Sequence, residues 1–151
     1  MGRPNKKRMM VQLVAVGLTL FGLLAWFVRA QTKPLDRDGL RIEVGDLRSN
    51  SSEAVLIAQQ TLAGKTAKTF FEVQSYLITG KVKSSKNQLD GDSLEPGWEL
   101  PHWQARQLSG RLKTAVEKLS GAFGQDQEIK RTKAELEDLS RQLKELEESL
   151  K

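Results

Sequence analysis

Residues 129–150, IKRTKAELEDLSRQLKELEESL, decide the fold class. Ile129, Thr132, Leu136, Leu139, Leu143, Leu146 and Leu150 recur at alternating spacings of three and four. That period keeps one side of an α-helix apolar, while the intervening Glu, Lys and Arg suit its wet sides. Leu136, Leu139, Leu143, Leu146 and Leu150 therefore read as a coiled-coil-like seam. Upstream, Leu108, Leu112, Ala115, Leu119 and Ala122 carry the same period in another phase. The slip near Asp126 is equivalent to a stammer, which locally overwinds a supercoil. A helical stretch thus runs from about His102 to Leu150.

Farther upstream, Leu40, Val44, Leu47, Ala54, Ala58, Leu62, Val73 and Leu77 can share one broad helical face between Leu40 and Val82. Strand-like alternation is not sustained. Between the two stretches lies SSKNQLDGDSLEPGWELP, residues 84–101, with turn signals at Asp90-Gly91 and Pro96-Gly97. It reads as a loop long enough to have a role of its own. The chain is expected to be all-α, folding back about this loop as an antiparallel helical hairpin. Ser85 would face Pro101, Gly64 would lie near Ala122, and Leu40 near Leu146. Arms of about 45 residues would reach roughly 65–70 Å if straight. Gly64 in one arm and Gly121 and Gly124 in the other are helix breaks at one level. If they are true turns, the alternative is a compact four-helix bundle with helices near 39–63, 66–84, 102–121 and 126–150. A two-helix hairpin would leave apolar side chains partly exposed, and exposed apolar patches mark interfaces.

Ahead of this region, residues 9–28 read MMVQLVAVGLTLFGLLAWFV. Twenty residues at about 1.5 Å each match the roughly 30 Å hydrocarbon core of a bilayer. Trp26 and Phe27 stand where an aromatic belt lies, with Arg29 beyond. A cleaved signal peptide ending at Val28-Arg29-Ala30 is the rival reading. Signal h-regions usually span about 7–15 residues, so the length favours an uncleaved anchor. The expected plan is a basic cytoplasmic tail (1–8), a transmembrane helix (9–28), a linker (29–37) and an extracytoplasmic helical domain (38–151) with a distal loop (84–101). Arg3, Lys6, Lys7 and Arg8 crowd the tail and favour an N-terminus in the cytoplasm. The domain would then be periplasmic in a Gram-negative cell inner membrane, or extracellular. Ala15, Thr19 and Gly22 form a small-residue face on which another membrane helix could pack.

The net charge of +5 describes mainly that basic tail. Without the tail and Arg29, 19 basic and 19 acidic residues remain. A nucleic-acid footprint needs clustered basic residues beyond a tail, so no nucleic-acid partner is expected. The 151 residues include no Cys and one His. Thiolate chemistry, Cys-ligated metals and multi-His metal sites are thereby excluded. His102 has no identifiable nucleophile or orienting group, so no enzyme activity and no cofactor are expected. Gly64-Lys65-Thr66 resembles the end of a phosphate-binding loop, but residue 59 is Gln and no strand precedes it. Asn50-Ser51-Ser52 matches a glycosylation acceptor, which matters only in a eukaryotic secretory chain. Trp98, Leu100 and Trp103 cluster at the loop, as a plug for the end of the helices or as a partner contact. Lys65, Lys68, Lys81, Lys83 and Lys86 make a basic arm relieved only by Glu72. It reads as solvated surface or as an electrostatic recognition patch.

The plan resembles that of small bacterial division proteins and many membrane accessory subunits, in topology only. The paired arms also resemble the helical hairpins of efflux adaptors, without the β-rich modules that flank them. Neither likeness carries a residue-level function. The expected function is an accessory, scaffold or assembly subunit of a membrane protein complex, anchored in the bilayer and joined to protein partners by helix packing. The alternatives are a small-molecule-binding helical sensor working with a separate transducer, and a secreted helical protein if residues 1–30 are removed. Intact-mass spectrometry of the chain recovered from cells should retain residues 1–30; a mass beginning at Gln31 would establish the secreted form instead.

Overall fold

Asp36 starts the first helix of the domain. Its backbone is extended, and its Oδ1 accepts a hydrogen bond from the Gly39 N–H at 2.8 Å. This N-cap satisfies one of the orphan donors of a helix start. A computed structural model describes residues 34–91 and 93–151, and four α-helices pack there in a bundle. They are α1 (Arg37–Leu62), α2 (Lys68–Gly91), α3 (Glu99–Ser120) and α4 (Asp126–Ser149). The expected tail, the membrane helix with Ala15, Thr19 and Gly22, and most of the linker lie outside the described residues.

The helices pair antiparallel. Ser51 Oγ of α1 donates to the Leu136 carbonyl of α4 at 2.9 Å, and Arg37 Nε donates to the Leu150 carbonyl at 2.7 Å. Phe71 of α2 lies 5.4 Å, ring centre to ring centre, from Phe123 in the turn after α3. This is close to the register of the expected hairpin. The extended hairpin itself is corrected, because α1 also packs on α2 and α3 also packs on α4. Both arms fold back at their glycines, and the four-helix alternative is what forms. The physical reason is burial. Doubling over encloses Leu40, Val44, Leu47, Ile78, Val82, Leu112 and Leu119 with the α4 leucines in one core. A straight hairpin would leave much of that surface in water.

The turns explain how the arms reverse. Lys65 N–H donates to the Gln60 carbonyl at 3.0 Å and Gly64 N–H to the Thr61 carbonyl at 2.9 Å. With Gly64 at φ +68°, this is a Schellman cap closing α1. The Gly-Lys-Thr triplet is therefore a helix stop. On the other side, Gln125 N–H donates to the Ala122 carbonyl at 2.8 Å, and Gly124 lies at φ +81°. That β-turn needs a positive φ at its third residue. Gly121 is different. It caps α3 at φ −91°, which any residue adopts.

The expected 84–101 loop is much shorter in the structure. Ile78, Val82, Ser85 and Leu89 continue the inner face of α2, so the helix persists to Gly91 despite its polar composition. Pro101 sits in the first turn of α3, where a missing N–H costs no intrahelical bond. The connection is held against the chain that enters α1. Leu35 N–H donates to the Ser93 carbonyl at 2.6 Å, and Glu95 N–H donates to the Leu35 carbonyl at 3.2 Å. The segment expected to be distal thus lies at the end of the bundle where α1 begins.

Replacing Gly64 or Gly124 by Ala should destabilise the bundle by about 1–2 kcal/mol each, through forced left-handed backbone. Gly121→Ala should change stability by less than about 0.5 kcal/mol. Thermal melts of the three variants check this, and equal losses at all three positions would refute the turn assignment.

Candidate functional site

The α4 seam is consumed internally. Leu136, Leu139 and Leu143 are fully buried, and Leu146 and Leu150 nearly so. They meet α1 and α3 instead of remaining open as a zipper for an outside helix. Cross-helix polar contacts border them, including Arg48 with Glu147 at 3.0 Å and Lys118 with Glu135 at 3.5 Å. Such surface pairs each contribute about 0–1 kcal/mol, so burial of the leucines dominates.

The aromatic cluster near the α2–α3 connection divides. Trp98 is partly buried and packs on the core, as a plug would. Leu100 and Trp103 face solvent. His102 Nε2–H donates to the Leu89 carbonyl at 2.8 Å, satisfying one of the carbonyls left over in the last turn of α2. Its observed role is to join α3 to the end of α2. Trp103 also borders a surface groove of about 420 Å³ between α3 and α4, with Gln107, Leu108, Arg111, Gln142 and Leu146. Among the described residues, no cluster of three or more His, Asp or Glu side chains is placed to hold a metal ion. No helix among them is long and apolar enough to cross a membrane.

A second exposed apolar surface lies on α2. Phe70 and Val73 are each 50% exposed, Leu77 48% and Tyr76 78%. At 3.6 residues per turn these four fall within an arc of about 120°. The inner face of the same helix is made instead by Phe71, Ser75, Ile78, Val82, Ser85 and Leu89. The sequence reading grouped Val73 and Leu77 with Leu40, Val44, Leu47, Ala54, Ala58 and Leu62 on one broad helical face, which carries the phase of α1 through Gly64. The Schellman turn resets that phase, so the assignment of these two is corrected. The available signal was duplication. Phe70, Val73 and Leu77 form one apolar set and Phe71, Ile78 and Val82 another, and a helix on the surface of a bundle can bury only one stripe.

Charges surround this arc. Lys81 Nζ pairs with Glu53 of α1 at 3.1 Å, and Lys68 with Glu72 at 3.7 Å. Lys65 and Lys83 form no ion pair among the described residues. Lys86 of the basic arm belongs to another group. It pairs with Asp90, which also accepts from Arg106 Nε of α3 at 2.7 Å. The hydrogen bond from Lys86, then that from Arg106, holds the Asp90 carboxyl below its ordinary range. The two cations also offset an acid placed unfavourably at a helix C-terminus.

The chain matches no family model, no curated protein and no solved structure.

A carboxyl with a depressed folded-state pKa adds stability above its unfolded value, and that stability is lost as pH falls through the folded value. Asp90→Asn should therefore lower Tm modestly at neutral pH and leave it unchanged once acid has protonated Asp90 in the parent. Parallel melts across the acid range check this; a deficit that persists in strong acid would show that the pairing is not its source.

Proposed function

We propose that the protein is a single-pass, membrane-anchored helical subunit that serves as an accessory, scaffold or assembly factor in a membrane protein complex. The observation that carries the reading is the outer face of α2. The core is closed and its leucine seam is spent, yet Phe70, Val73, Tyr76 and Leu77 stay in water side by side. A contiguous exposed apolar patch on a helix is a site for another macromolecule. Residues 9–28 supply the anchor by their length and apolarity, with the basic tail in the cytoplasm and the bundle on the periplasmic or extracellular side. The Ala15, Thr19 and Gly22 face offers a second contact within the bilayer. The mechanism is packing, with no chemical step.

The α3–α4 groove favours a second reading, a helical sensor for a small molecule. Its volume of about 420 Å³ is within the range of ligand sites. A metabolite that raises Tm reproducibly, and fails to do so in a Leu108→Trp variant, would support that reading.

The lead reading is tested in the native membrane. The tagged full chain and its Val73→Ser/Leu77→Ser variant are extracted in mild detergent and analysed by intact mass. A membrane protein present at fixed stoichiometry with the parent should be lost from the variant, while helicity is unchanged and folding stability stays within about 0.5 kcal/mol of the parent, as for surface changes. Retention of that protein at full stoichiometry would defeat the assignment to α2.

A further inference from the structure

We infer that the outer face of α2 receives an amphipathic helix of another protein whose apolar stripe is bordered by Asp and Glu. This rests on the reading of that face as an interaction surface and adds the chemistry of what it binds. Phe70, Val73 and Leu77 line up at the i, i+3, i+7 spacing by which one helix anchors another. Leu56 of the neighbouring α1 is also exposed, at 53%. Glu53 and Lys81 pair across the α1–α2 boundary, and Leu56 and Leu77 each lie about one turn farther along it in the same direction. Leu56 therefore stands on the neighbouring helix at the level of Leu77.

The rim sets the sign of the partner. At helical spacing Lys81 and Lys83 fall on the two sides of the arc beyond its C-terminal end, Lys68 opens α2 and Lys65 lies in the turn before it, against Glu53 and Glu72. The two glutamates are already paired, whereas Lys65 and Lys83 have no ion pair among the described residues. An incoming carboxylate gains from these lysines and an incoming cation is repelled. The same charge disfavours a second copy of this chain. An antiparallel α2–α2 contact centred between Val73 and Leu77 would set Lys68 of one copy near Lys81 of the other. The acidic helix of the bundle, α4, has no large apolar residue exposed with which to cover the arc. An anionic lipid surface would draw on the same lysines, and the vesicle arm of the test below separates it from a helix.

The test uses the full chain in phosphatidylcholine nanodiscs and two fluorescent synthetic helices. Both carry the same leucine stripe, one bordered by Glu and the other by Lys. Anisotropy should show the Glu-bordered peptide binding at least about tenfold tighter, since each rim pair adds a fraction of a kcal/mol and tenfold is 1.4. Binding should weaken with added salt, disappear in Val73→Ser/Leu77→Ser, and shift toward the Lys-bordered peptide in Lys65→Glu/Lys83→Glu. Equal binding of the two peptides, or preference for the Lys-bordered one, overturns the inference. If neither peptide binds and mass photometry shows self-association that Val73→Ser/Leu77→Ser abolishes, the acidic partner is overturned while the interaction surface stands. If that variant alters no association of any kind, both fail. Binding to phosphatidylserine vesicles that depends on Val73 and Leu77, without peptide binding, reassigns the face to lipid and likewise overturns the inference.

Discussion

Closure of α4 on α1 is the constraint on which the domain depends. These helices lie at opposite ends of the described chain, yet they form the most extensive interhelix contact in the bundle. Ser51 and Leu136, 85 positions apart, meet by a buried hydrogen bond, and Arg37 reaches the Leu150 carbonyl across 113 positions. Bringing such distant segments together costs loop-closure entropy, which burial of the leucine seam must exceed. Beside that pair, α2 and α3 pack on each other. The α2–α3 connection then returns to Leu35, whose backbone it binds on both sides through Ser93 and Glu95.

That closure consumes the residues that look most like a docking site in one dimension. A strong heptad suggests an open zipper, but Leu136, Leu139 and Leu143 have no exposure left. What remains outside is a weaker-looking set on α2, bounded by lysines. The distinction is one of supply and demand for apolar cover. Four helices bury four stripes, and α2 carries more apolar residues than one stripe accommodates. Its surplus supports an interaction role better than the seam does, because surface that stays apolar after folding has no other evident use.

Polar contacts act mainly at the ends and seams of the helices. Asp36 caps α1, His102 satisfies a carbonyl at the end of α2, and Asp90 joins Lys86 to Arg106. The first two meet backbone donors or acceptors that helix ends leave unpaired, and the cations beside Asp90 offset its poor place at a helix C-terminus. The only histidine and the Gly-Lys-Thr triplet, which in isolation suggest chemistry, both resolve into helix termination. Short motifs gain meaning from context, and here the context is a Schellman turn and a helix–helix junction.

The helical class, the antiparallel register and the levels of the glycine breaks were legible in the sequence. Periodicity and backbone permissiveness are local properties, readable at Leu136–Leu150 and at Gly64. The sequence also marked residues 9–28 as long and apolar enough for a bilayer. The choice between hairpin and bundle needed the tertiary structure, since both share one register and differ in whether each arm meets itself. That structure alone decided that α2 continues to Gly91, because a polar helix end persists when Ser85 and Leu89 find a core to face. It alone decided which apolar set of α2 turns outward. The φ of Gly64 sets the direction in which α2 departs, and the burial phase of every residue beyond follows from how that helix meets the other three.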